Sequence, residues 1–308
     1  MIRIKNILFP TDFSKCAHQA LSRASILAKS YDATLHMLHA TVLHDDDPHN
    51  PAFHLPDVDM INTKLRETAI DKMDSVINSY HASDLKIVKK HERGIAPAPV
   101  IIDYAEKNDI DLIVMGTHGR RGLRHLLLGS VAEEVVRLSS SPVLTIHEQK
   151  APVPVAGSME RILVPVDFSD HAKTALRYAK ALAEEYGSTL QVLHIIEESV
   201  HPSYYIAGMS SIFDLEPDIK PKSEDAMRKL FETAEGPQVS ATYHLEEGQA
   251  AHEIAKFASA QKSDMIVIST HGLTGIEHLL VGSITEKVIR LADCPVFTVK
   301  SFGRSIIA

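Results

Sequence analysis

The sequence has no tryptophan and only two cysteines in 308 residues. Cys16 and Cys294 supply neither a disulfide framework nor a metal-ligand set, which fits a reducing compartment. Long apolar runs are also missing. Stretches such as Leu112–Met115 and Met265–Ile268 fall far short of the roughly 20 residues a helix needs to cross a bilayer. The N-terminal apolar run stops at Pro10, too early for a signal-peptide core. There is no basic excess: Lys+Arg is 32 against Asp+Glu 40, a net charge of −8. That balance argues against nucleic acid and against an anionic membrane surface as partners. Several catalytic signatures are absent as well. No G-x4-G-K-S/T, G-x-G-x-x-G after a first strand, G-x-S-x-G, H-E-x-x-H or C-x-x-C is present. Their absence argues against a P-loop, an NAD site, a hydrolase elbow and a zinc site. The expectation is a cytoplasmic protein.

What is present is a repeat. Ile7–His39 aligns with Ile162–His194, both opening on I-L-x-P-x-D-F-S, with about half of the positions identical. Asp111–Ile146 aligns in the same way with Asp264–Val299, sharing T-H-G, H-L-L, G-S, R-L and P-V. Two long blocks in the same order indicate duplication of one domain. The expected division is residues 1–148 and 160–308, joined by a Pro-, Gly- and Ala-containing linker over 149–159.

Each copy alternates strand and helix. In the first, strands are expected over Ile4–Phe9, Leu35–Ala40, Leu85–Lys90, Leu112–Met115 and Val143–Ile146. Helices are expected over residues 14–30, 59–80, Pro99–Lys107 and Ser130–Leu138. Ala17, Ala20, Leu21, Ala24, Leu27 and Ala28 share one face of the first helix, and Ser14 is its expected N-cap. Uninterrupted apolar strands suit a parallel sheet covered on both faces. The fold class is therefore α/β: two tandem doubly wound, Rossmann-like parallel-sheet domains. In such sheets a ligand sits beyond the carboxyl ends of the strands, at the switch point in strand order. The closing strands, Pro142–Ile146 and Pro295–Val299, are expected as domain edges open to pairing.

The chemical signal lies after the fourth strand. Gly116-Thr-His-Gly119 is followed by nine residues and then Gly129-Ser130. Glycine lets backbone approach a ligand closely, and a helix opening at Ser130 directs amides and a positive dipole end outward. That arrangement suits a phosphate. Arg120, Arg121 and Arg124 lie between the glycines, and Asp12 stands at the carboxyl end of the first strand.

The pattern G-x2-G-x9-G-S/T, together with the P-T-D turn and the closing S-P-V-L-T-I strand, resembles the universal stress protein family in its tandem form. The resemblance covers nearly the whole chain, twice. It implies an adenine-nucleotide site, usually ATP with Mg²⁺, with ADP, AMP or a cyclic nucleotide left open. By position, Pro10, Thr11 and Asp12 would lie at the adenosine end, with the backbone of Ala40 at the base. Met115, Gly116, Gly119, Arg120, Gly129, Ser130 and Val131 would hold ribose and phosphates. It further implies an intramolecular pairing of the two closing strands as a pseudo-dimer, with a homodimer of the chain left open.

The second copy departs from the pattern. Its corresponding residues are Pro165, Val166, Asp167, Ile195, Ile268, Ser269, Gly272, Gly282, Ser283 and Ile284. Ser269 replaces the first glycine and would be strained if that position needs positive φ. Leu273, Thr274 and Glu277 replace the three arginines. A weaker second site is expected. The pairs His39/His194, His118/His271 and His125/His278 read as structural, and the acid- and histidine-containing segment 44–54 as a solvated loop. Cys16 opens the first helix, where its thiol pKa could be lowered, but the second copy has His171 there, so it reads as a buried or spectator thiol. No catalytic residue stands out, so the expected role is a nucleotide-binding regulator or sensor in a stress response, with an unknown protein partner. The rivals are a slow ATP hydrolase or nucleotide-transfer enzyme using Asp12 or His118 with Mg²⁺, and a scaffold stabilised by its nucleotide.

Overall fold

The computed structural model describes residues 1–42, 58–79, 84–119, 128–148, 159–197, 211–216, 218–270 and 282–307. In the first repeat these form β1 (Asn6–Pro10), α1 (Lys15–Ser30), β2 (Thr34–Val42), α2 (Val58–Ser79), β3 (Ile87–Gly94), α3 (Pro97–Lys107), β4 (Leu112–Gly116), α4 (Ser130–Leu138) and β5 (Val143–Ile146). The second repeats the order as β6 (Arg161–Pro165), α5 (Asp170–Tyr186), β7 (Thr189–Ile196), α7 (Ile219–Thr233), β8 (Ala241–Glu247), α8 (Ala250–Ala260), β9 (Met265–Ser269), α9 (Ser283–Leu291) and β10 (Val296–Val299). A single-turn helix, α6 (Ile212–Leu215), precedes α7. The 149–158 stretch of the expected linker lies outside the described residues.

Local chemistry sets the element ends. Ser14 and Ser169 cap α1 and α5, accepting from Ala17 N at 3.2 Å and Ala172 N at 3.1 Å. The expected third strand begins two residues too early and ends four too soon. Its real span ends in Lys-Lys-His-Glu-Arg-Gly, polar because β3 is an edge strand hydrogen-bonded on one side only.

All ten strands join one sheet, in the order β3-β2-β1-β4-β5-β10-β9-β6-β7-β8. Neighbours are parallel except β5 and β10, which pair antiparallel through Thr145–Val296, Leu144–Phe297 and Val143–Thr298. Alternate strand residues feed two cores. Ile7, Phe9, Leu35, Met37, Leu112 and Val114 pack under Ala17, Ala20, Leu21 and Ala24 of α1. Leu8, Leu38, Ile113 and Met115 pack on the other face against Ile101 of α3 and Val135 and Val136 of α4. The small alanine face of α1 lets the helix lie close to the sheet, so the start of α1 meets the end of β4.

The repeats meet about a local two-fold. Leu144 and Phe297 are equivalent residues and face each other. Thr145 Oγ1 donates to Val296 O (3.2 Å), and its equivalent Thr298 donates back to Val143 O (3.0 Å). Tyr31 and its equivalent Tyr186 share a hydroxyl–hydroxyl hydrogen bond at 3.3 Å. Such self-matching contacts are the mark of an isologous interface. The C-terminal segment then crosses back: Arg304 N donates to Ser140 O, Arg3 N donates to Ile306 O, and Ile2 bridges Ile307.

Candidate functional site

The strand order places β1 between β2 and β4, so the switch point lies between β1 and β4. The Pro10-Thr11-Asp12 turn leaves the end of β1, and Gly116–Gly119 leaves the end of β4, beside it. The two motifs touch. A Cβ built on Gly119 would come within 2.7 Å of Asp12 Oδ2. The other oxygen, Asp12 Oδ1, accepts from Ser14 N at 3.0 Å and so shapes the turn into α1. Asp12 thus combines a turn role with a position facing the glycine loop.

The loop is closed at its base. Gly129 is the N-cap of α4, and its amide donates to Thr117 O at 2.8 Å. That amide is therefore committed to the loop rather than available to a ligand. Among the described residues no side chain caps α4, and Ser130 is exposed at its first turn. The start of α4 consequently keeps the amide-rich, positive character of an uncapped helix end. Gly129 itself is confined, since a Cβ there would sit 3.0 Å from Thr117 O. Val131 packs on the core and Met115 is buried beneath the loop. Arg120, Arg121, Arg124 and His125 lie outside the described residues.

One expectation about this loop requires correction. The glycines of both motifs that are described are not among the positive-φ residues, so Ser269 carries no left-handed strain. Gly116 is needed for space: a Cβ on it would lie 2.8 Å from Cys16 Sγ. In the second repeat the position of Cys16 is taken by His171, whose Nδ1 pairs with Ser301 Oγ at 2.8 Å, and the buried Ser269 is accommodated. Cys16 is buried, in keeping with the spectator thiol expected of it. Burial pushes its pKa up, and hydrogen bonding to the His118 and Thr117 backbone only partly offsets this.

At the proposed adenosine end, Thr11 is buried and its carbonyl accepts from His39 Nδ1 at 2.7 Å. His194 Nδ1 makes the equivalent bond to Val166 O at 2.8 Å. Phe13 and Phe168 adopt φ of 61° and 62°, and each ring lies against the histidine of its own repeat. Sequence reading missed these phenylalanines. The signal available was the shared D-F-S, in which the phenylalanine recurs after the turn. Ala40 lies half-buried on β2, beside Glu92 of β3. His118 places Nδ1 2.9 Å from Thr117 Oγ1, while its buried Nε2 has no hydrogen-bond partner. Among the described residues, no cluster of three or more His, Cys, Asp or Glu could hold a metal.

The second repeat reproduces the frame with different chemistry. Pro165, Val166 and Asp167 follow β6, and Asp167 Oδ1 accepts from Ser169 N and Oγ. Ile268 and Ser269 end β9, and Gly282 N donates to Thr270 O at 2.7 Å ahead of Ser283 and the exposed Ile284. Ile195 packs on the core at the end of β7. Two carboxylates occupy this edge where the first repeat has Val42 and Arg93. Glu197 accepts from Ala250 N at the start of α8, and Glu247 holds Ser211 and Ile212 of α6. Gly272, His271, His278, Leu273, Thr274 and Glu277 lie outside the described residues, as does segment 44–54.

The universal stress protein family model matches residues 3–147 and again 159–300. The chain belongs to the universal stress protein family. It carries the domain twice, in tandem. A universal stress protein of Methanocaldococcus jannaschii is 33% identical over 141 residues, covering 46% of the chain and 82% of that protein. One of Mycobacterium bovis is 26% identical over 225 residues and covers 71% of each. Among solved structures, a universal stress protein from Archaeoglobus fulgidus superposes with a TM-score of 0.67 at 24% identity, over 98% of this chain and 97% of that one, a likeness of fold. Among its described residues, this family member has no helix long and apolar enough to cross a membrane.

Proposed function

We propose that the first repeat binds an adenine nucleotide, with ATP and its Mg²⁺ as the best-fitting ligand, and that binding makes the chain a regulator or sensor in a stress response. The reading rests on one contact: Gly119 against Asp12, which brings a carboxylate able to accept from a sugar or base beside a glycine loop leading to an uncapped helix. Gly119 permits the close approach of Asp12, and Gly129 that of the Thr117 carbonyl, so the loop packs tightly enough at its base to present backbone rather than side chains to a phosphate chain. The backbone of Gly119, the Ser130 hydroxyl and the first amides of α4 would hold the phosphates, with Arg120 adding charge. Asp12, Thr11 and Ala40 would hold the nucleoside. Mg²⁺, carried on the phosphates, would neutralise their charge.

The second repeat is the weaker binder in this reading. Its glycine loop carries Leu273, Thr274 and Glu277 in place of Arg120, Arg121 and Arg124, which removes cations and adds a carboxylate where phosphates would lie. A regulator requires that nucleotide favour one conformation or partner over another, through different affinities for the two states. Calorimetric titration of the full chain with ATP is expected to give one dominant site per chain, removed by Gly119→Val. Undiminished binding by that variant would overturn the assignment. Sustained multiple-turnover release of phosphate, lost in Asp12→Ala, would replace the regulator with a hydrolase. Mass spectrometry of small molecules released from the purified protein would name the nucleotide and its occupancy.

A further inference from the structure

The helix that opens the first repeat's site ends in a contact with the second repeat. α4 runs from Ser130 to Leu138, and its last carbonyls have no partner within the helix. Lys300, just beyond β10, reaches across the interface. Its Nζ donates to Arg137 O at 2.6 Å and to Ser139 O at 2.7 Å. The ammonium is half-buried beside the Phe302 ring, and burial pulls its pKa down to about 8, so it remains largely protonated at neutral pH. The equivalent residue of the first repeat is His147, which reaches the other way to Ile289 O on the last turn of α9. Each repeat thus holds the far end of the other's loop-following helix. The exchange is unequal in kind: α4 receives a lysine, whose Nζ spans two carbonyls, whereas α9 receives a histidine, whose Nε2 meets Ile289 O.

We propose that Lys300 is a positioning residue for the first repeat's nucleotide site, supplied by the second repeat, a proposal that rests on the nucleotide reading above. Two physical effects point the same way. Tying the C-terminal carbonyls fixes the axis of a helix of nine residues, so the amides at its other end are held where the glycine loop presents a phosphate. A cation at the C-terminal end also complements the helix dipole, whose N-terminal end attracts the anion. The first site is therefore complete only when the second repeat is docked. The unequal exchange also favours the same repeat as the intact glycine motif and the three arginines.

The test uses the full chain and three ligands: ATP, ADP and adenosine. Affinity for the site is read as the binding that Gly119→Val removes. Lys300→Met is expected to weaken ATP about two- to fivefold, the range a helix-terminal charge supplies. The loss should be smaller for ADP and negligible for adenosine, which has no phosphate to feel the helix. Lys300→Arg is expected to restore ATP affinity. If Lys300→Met proves too unstable, Lys300→Gln, which keeps a donor without the charge, carries the same phosphate-dependent loss. Unchanged ATP affinity in folded variants would overturn the proposal. An equal loss on ATP and adenosine would also overturn it, by reducing Lys300 to a general structural prop. A wild-type chain that binds none of the three ligands would instead sink the nucleotide reading, and Lys300's role with it.

Discussion

The tightest chemistry in the first repeat is the packing of Gly116 on Cys16. A methyl on Gly116 would meet the thiol at 2.8 Å and the α1 backbone at 3.2 and 3.3 Å. Overpacking of this kind costs about 1–3 kcal/mol. Gly116→Ala is expected to destabilise the chain by that amount in denaturant melts. Adding Cys16→Ala should return part of it, because only the sulfur contact is relieved. A double-mutant cycle with no coupling between the two sites would show that the close approach carries no energy. Gly119 differs. It is exposed and faces a carboxylate rather than the core, so Gly119→Val should remove nucleotide binding while shifting the melting temperature little. At this scale the sequence marked Gly116, but partly for a mistaken reason. A glycine in a motif suggests unusual φ, whereas Gly116 serves close contact with a residue a hundred positions away, which no local pattern reveals. Phe13 and Phe168, in contrast, take positive φ without being glycine.

Among elements, α4 and β5 were fully legible, since apolar spacing and the Gly-Ser start mark both boundaries. β3 was not, because an edge strand need not alternate or be apolar, and α6 is a single turn too short for periodicity to register. The caps on the ends of α4 and α9 were also invisible, since Lys300 and His147 act on helices of the opposite repeat. The Lys300 cap has a titration consequence. Its folded pKa of about 8 lies below the free value of 10.5, so between these limits the unfolded chain binds more protons. This residue's contribution to stability therefore rises with pH across that window and is constant below it. Unfolding free energies of wild type minus Lys300→Met, compared from pH 7 to 10.5, should shift in favour of wild type above about pH 8. A difference that stays flat with pH would contradict the buried ammonium.

On the scale of the whole molecule, the interface is built from residues that meet their own equivalents. Tyr31 meets Tyr186, Leu144 meets Phe297, and Thr145 and Thr298 make equivalent bonds to Val296 O and Val143 O. Duplication was readable from aligned blocks, because identical segments are a property of the chain. The pairing of the closing strands was expected from an exposed edge and from the family resemblance, but the side chains that match across it were not. A chain ending at residue 148 retains one complete half of this surface, with β5 unpaired. It is expected to associate two-fold, β5 against β5 and Tyr31 against Tyr31, and to sediment as a dimer at micromolar concentration. A monomer under those conditions would show that the contacts need the unequal partners present in the full chain.

The return of the C-terminal segment has a topological consequence. Ile2 and Ile307 are bridged, and Arg3 is hydrogen-bonded to Ile306, so the polypeptide almost closes on itself. A permuted gene that starts at the second repeat and joins the present ends by a few flexible residues would reverse the order of the halves while keeping every strand neighbour. Sealing the ends covalently would make a ring from which neither half could peel away first.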